Sequence, residues 1–232
     1  MCQMIQKIII LLGLLILHSC SNCDPSTDEK LPNESIAKTA YNNSNFGIYK
    51  GILVGSSGIV MININNNGTT NALLTIDGVR LEFNAIEQVT EHQSTPIRFA
   101  NNDNSFDFMV GKNGEDPTVL NCNLKNYPQV KIQVAKEQSS SPIKCYQGRY
   151  TGDDAGIFNF YIDEKEDIYG MAKSKYNEDI LPLNGSLNSQ NSITGTIIAD
   201  GQFEGTISSN YYEGSWQKSQ ENSGIWYANR TQ

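Results

Sequence analysis

Histidine is almost missing from this sequence: two in 232 residues, His18 and His92. There is also no Gly-x-Ser-x-Gly, no His-Glu-x-x-His and no glycine-rich phosphate loop, so no serine-hydrolase, zinc-protease or nucleotide-binding motif can be read. Positive charge is scarce as well. Lys and Arg number 17 against 25 Asp and Glu, for a formal net charge of −8. The chain therefore lacks the basic footprint that nucleic acid requires. No apolar run reaches the roughly 20 residues that a membrane-spanning helix needs. Beyond residue 45 no segment repeats its apolar residues with a 3.6 period, which argues against amphipathic helices. Metal-ligand spacing is absent: the acidic turn at residues 163–167 has neither the alternating oxygens nor the glycine of a calcium loop, and the stretch at 101–107 is equally unsuited. No cofactor and no metal are expected.

What is present begins with the longest apolar run. Residues 8–17 follow Lys7 and have the length of a secretory h-region. The run closes on Leu17-His18-Ser19-Cys20. This junction resembles the lipobox of bacterial lipoproteins, with an aliphatic residue three before the cysteine and a small one directly before it. His18 departs from the small residue usual at the middle position. The resemblance implies a signal peptide over residues 1–19, cleavage before Cys20, diacylglycerol on its thiol and a fatty acid such as palmitate on its new amine. Several acyl chains together give a stable membrane anchor. Residues 20–45 then read as lipidated cysteine and disordered tether, polar and holding two prolines, with Asn33 a candidate cap for a short helix over 34–40. Asp24, Asp28 and Glu29 resemble the surface-export signals of Bacteroidota-type lipoproteins. Ser21, rather than Asp, follows the cysteine, so the inner-membrane retention signal of enteric bacteria is not matched. The expected location is the cell envelope, lipid-anchored at the outer membrane, periplasmic or surface-exposed.

Beyond the tether the chain repeats itself. "YKGILVGSSGIVMINI" from Tyr49 aligns with "YQGRYTGDDAGIFNFYI" from Tyr146, with one residue inserted. Tyr49 falls on Tyr146, Gly51 on Gly148, Gly55 on Gly152 and Gly58 on Gly156. Val60, Ile62 and Ile64 match Phe158, Phe160 and Ile162, each trio on one face of a strand. A spacing near one hundred residues marks a duplicated domain rather than a solenoid. The expected fold is all-β: two tandem antiparallel β-meander lobes at 46–138 and 143–232, joined by a linker at 139–142. Each is a small barrel or a sandwich. Asp-Gly at residues 77–78 is a favoured hairpin dipeptide.

Candidate functional residues are few. Cys122 ends lobe one and Cys145 opens lobe two, a candidate disulfide across the linker in an oxidising compartment, or two separate buried thiols. Residues 143–232 hold thirteen of the aromatic residues, including both tryptophans, against seven in 46–142. "YYEGSW" and "SGIWYANR" resemble the Gly-x-Trp strands of avidin-like and lipocalin-like barrels, which implies a meander barrel. Trp216 and Trp226 flank a polar turn. A turn centred on Glu221 puts the two indoles directly opposite, on one face with Gly214, Gly224 and Ala228, either as core filling or as a stacking platform. Two functions fit: a non-catalytic, lipid-anchored envelope protein that binds a glycan, peptide or protein ligand, or an envelope-polymer hydrolase with unrecognised catalytic groups. A structural envelope protein is a third.

Overall fold

Apolar and polar residues alternating between Gly, Asn and Asp turns lay the chain down as strands. The computed structural model describes residues 34–197, 201–208, 210–219 and 222–232; the expected signal segment at 1–19, Cys20 and Cys23 lie outside them. Lobe one comprises β1 (Gly47–Val54), β2 (Gly58–Ile64), β3 (Thr70–Ile76), β4 (Val79–Ala85), β5 (Ile97–Asn101), β6 (Asn104–Met109), β7 (Thr118–Asn123) and β8 (Lys131–Lys136). Lobe two comprises β9 (Lys144–Gly152), β10 (Gly156–Ile162), β11 (Asp167–Ser174), β12 (Ile180–Leu187), β13 (Ser192–Ile197), β14 (Gly201–Ser208), β15 (Tyr211–Ser219) and β16 (Asn222–Arg230). Each lobe is an antiparallel meander. In lobe two β16 returns to β9 and closes a barrel; in lobe one β8 returns to β1, but β7 and β8 do not join, so the barrel is nearly closed. Both are barrels, not sandwiches. The Asp77-Gly78 turn has positive φ at both residues (48° and 79°), as a type I′ hairpin requires.

The internal repeat is a repeat of register. Tyr49 pairs with Ile62 as Tyr146 pairs with Phe160, and Gly51 with Val60 as Gly148 with Phe158. The matched glycines share a cause. A Cβ on Gly51 would lie 1.9 Å from the carbonyl oxygen of Gln133, and one on Gly148 would lie 2.0 Å from that of Tyr227. In each lobe the first strand meets the last so closely that only hydrogen fits. Gly55 and Gly152 both hold positive φ, 110° and 136°, a conformation that glycine adopts without Cβ strain.

Three apolar clusters result. One fills lobe one around Tyr49, Phe83, Phe99, Phe106 and Phe108, and one fills lobe two around Phe158, Phe160, Tyr212 and Trp226. The third lies between the lobes, where Ile52 and Val54 of β1 meet Ile143, Cys145, Tyr161 and Met171. β1 is consequently buried along its whole length, on both faces. Asn159 of β10, fully buried, ties the lobes together: its Nδ2 donates to the carbonyl of Leu53 (2.7 Å) and its Oδ1 accepts from the Gly148 N–H (3.1 Å).

Residues 34–45, assigned to the tether, are a packed strap instead. Ile36 and Ser35 donate to Glu137 Oε1, both at 3.0 Å, and the N–H of Lys38 donates to Asn66 Oδ1 at 2.9 Å. Only a short 3-10 turn, Thr39–Tyr41, replaces the expected helix. Buried Asn45 donates to the carbonyls of Thr90 and Gln93 and accepts the His92 N–H, so it pins the strap against lobe-one loops. A polar composition hid this segment because its anchors are hydrogen bonds rather than apolar contacts.

Candidate functional site

The two lobes differ at corresponding ends. In lobe one, the end carrying the β1–β2 and β3–β4 turns is sealed by the β7–β8 connection. Leu124 and Val130, 1% and 6% exposed, are both part of the core. In lobe two the equivalent connection is a short β15–β16 hairpin, and a cavity of about 330 Å³ opens at that end. Tyr150, Phe158, Trp216 and Tyr176 supply rings, Leu181 and Ile197 aliphatic wall, and Asp153, Asp154, Asp179, Lys218 and Asn222 polar groups.

Trp216 is 5% exposed and forms an inner wall. Its Nε1–H donates to the Thr151 carbonyl at 3.1 Å, which fixes the indole plane. The Tyr150 ring meets it edge-on, centroids 5.6 Å apart and planes at 83°. The Tyr150 hydroxyl donates to Asp154 Oδ2 at 3.1 Å. Burial, reinforced by the Asp154 charge, raises the Tyr150 phenol well above its ordinary pKa, so it stays protonated as that donor. Asp154 Oδ1 accepts the Ala155 N–H (2.6 Å) and the Ser174 hydroxyl (2.9 Å), and Ser174 Oγ in turn accepts the Tyr176 N–H (3.0 Å). The rim is thus held by a connected network. Asp153 Oδ2 accepts the Ser223 N–H across the β15–β16 hairpin at 2.9 Å. The Oδ1 of Asn222 is buried without a donor.

The chain matches no family model and no curated protein.

The tryptophans are not an opposed pair. Trp216 faces Gly224 and Trp226 faces Gly214, because the hairpin register centres one residue earlier than Glu221. The shift is even along each strand pair, so both indoles still point inward with Ala228, diagonal rather than opposite. Their roles separate. Trp226 is core: 1% exposed, stacked on Phe158 at 4.8 Å, its Nε1–H shared between the carbonyls of Glu204 and Ser215. Trp216 alone lines the cavity. Neighbouring glycines make the room, since a Cβ on Gly224 would lie 2.6 Å from the Trp216 Nε1.

Cys122 and Cys145 are both free thiols. Cys122 packs on the lobe-one core, whereas Cys145 sits in the inter-lobe cluster with its Sγ donating to the Gly51 carbonyl at 3.5 Å, so the candidate bridge is not formed. Burial pushes the Cys145 thiol up to about 12. His92 is an exposed loop residue. Among the described residues no group of three His, Cys, Asp or Glu side chains is placed to hold a metal ion. The rim aspartates were the residues that sequence reasoning missed: Asp153-Asp154 reads as an ordinary turn, and only barrel closure brings that turn beside Asp179 and Trp216.

Proposed function

We propose that this chain is an exported, lipid-anchored envelope protein that binds a small ligand without catalysis, using the open end of lobe two. Lobe one, with its plugged end and packed strap, is then scaffold rather than site. One observation carries the reading: duplicated barrels differ at the same end, one plugged by Leu124 and Val130, the other opening on a ring-lined cavity of about 330 Å³. That volume falls within the roughly 300–1,000 Å³ of small-molecule sites. A connected Tyr176–Ser174–Asp154–Tyr150 network fixes its rim before any ligand arrives, which lowers the ordering cost of binding.

The test is a glycan and small-metabolite array probed with wild-type protein and with Leu181→Trp, which fills the cavity from its wall. Binding by wild type that Leu181→Trp abolishes is the expected result. No binding by wild type, or equal binding by the filled variant, overturns the reading. The anchor has its own test: wild type should incorporate labelled palmitate in cells, and Cys20→Ala should remain unprocessed and unlabelled.

A further inference from the structure

We infer that the lobe-two cavity takes the head of a small organic cation, an ammonium-bearing molecule of about choline size. The inference rests on the binding function proposed above and names the ligand class for that same cavity.

Three observations converge. The first is charge. Asp153, Asp154 and Asp179 line the cavity against a single Lys218. Among the described residues none of the three aspartates takes part in an ion pair with lysine or arginine. The donors on Asp154 are a phenol, a hydroxyl and a backbone N–H, all neutral, so the carboxylate is held in place by groups that bring no positive charge. The second is the ring walls. Tyr150 and Trp216 meet at 83° and form two adjoining sides of a box, with Phe158 deeper and Tyr176 at the rim. Ring faces carry negative potential, and converging faces attract ammonium groups. The Lys175 ammonium already lies 4.6 Å from the Tyr176 centroid, so the rings left for a ligand are Tyr150, Trp216 and Phe158. The third is Asn222, which lines the cavity and keeps one side-chain oxygen, its buried Oδ1, without a donor.

A metal ion fits less well. The aspartates are spread around the rim, and no three carboxylates converge among the described residues. Diffuse negative charge over aromatic walls suits a large, weakly hydrated cation.

The experiment titrates the full protein with choline, with its uncharged isostere 3,3-dimethylbutan-1-ol, and with glucose, by calorimetry and tryptophan fluorescence. Choline should bind at least about tenfold more tightly than the isostere, the factor expected of a desolvated cation–ring contact. Asp154→Asn should weaken choline by about tenfold. Because Asp154 also organises the rim, exposed Asp179→Asn serves as the variant that leaves folding intact, and it should weaken choline without affecting the isostere. If the isostere binds as tightly as choline, the cavity is simply apolar and the cation inference falls while the binding function stands. Glucose binding that Leu181→Trp blocks, with no choline binding, has the same consequence. If no probe binds, the cation inference is overturned, and the array decides the fate of the wider reading.

Discussion

Lys50 and Glu137 form an ion pair at 2.5 Å with side chains 3% and 0% exposed. Glu137 holds more than a counter-charge. Its Oε1 accepts Ser35 and Ile36 of the strap, and its Oε2 accepts the Ile143 N–H that leads into lobe two. One carboxylate thus joins strap, β1 and the inter-lobe connection. Replacing Lys50 by Met keeps the apolar stem and removes the charge. The carboxylate is then buried with neutral donors only, a state that costs about 3–5 kcal/mol. In a chain of this size each kcal/mol lowers Tm by about 2–4 °C, so Lys50→Met should lose about 6–20 °C. Adding Glu137→Gln should recover part of that loss, because the remaining unpaired charge disappears while an acceptor oxygen stays. Calorimetric melting of wild type, both single variants and the double variant at pH 7 completes the cycle. A Lys50→Met loss of under about 1 kcal/mol, or a double variant whose loss equals the sum of the singles, would refute the reasoning.

Trp226→Ala should cost about 3–5 kcal/mol, since it empties the centre of the lobe-two core and orphans two carbonyls, and urea melts will measure it. Gly148→Ala should also destabilise, by about 1–3 kcal/mol or more, because its methyl meets the Tyr227 carbonyl; an unchanged urea midpoint would show that β9 and β16 can part. The buried phenols set an alkaline limit. Tyr49, Tyr150, Tyr161 and Tyr212 are all raised well above 10, chiefly by burial. Their folded-state pKa values exceed the unfolded ones, so the stability they contribute is complete below pH 10 and falls as pH rises beyond it. The share of tyrosinate absorbance that belongs to these four phenols should therefore appear only together with loss of near-ultraviolet circular dichroism; complete titration of all eleven tyrosines in a folded protein would contradict this.

The fold was legible where local signals repeat. Tyr-x-Gly openings, paired glycines and matched alternating trios foretold two copies of one meander, and the register of β1 on β2 matches that of β9 on β10 residue for residue. The alternating trio of β10 does face the core, but the opposite faces of β1 and β10 are buried too, because Ile52, Val54, Asn159 and Tyr161 face the other lobe rather than water. The Trp216 register was missed by two residues across the hairpin because a polar turn does not mark its own centre, and β15 carries an irregularity between Gln217 and Ser219. Trp216 was visible as a candidate, but its separation from Trp226 was not, since burial depends on which strand end faces the open barrel mouth. Asp153, Asp154 and Asp179 come from two different hairpins, and single turns carry no sign of what a closed barrel sets beside them.

In the proposed function, ligand enters the end of lobe two against Trp216 while the rest of the core stays closed. Incorporating 5-fluorotryptophan gives one fluorine signal from each of the two tryptophans, assigned by Trp216→Phe. Titration with choline, then with glucose, reads both indoles at once. The Trp216 line should shift in a saturable way while the line of Trp226, stacked on Phe158 in the core, holds its position. A Trp216 line that stays fixed with both probes while another part of the molecule responds would contradict it.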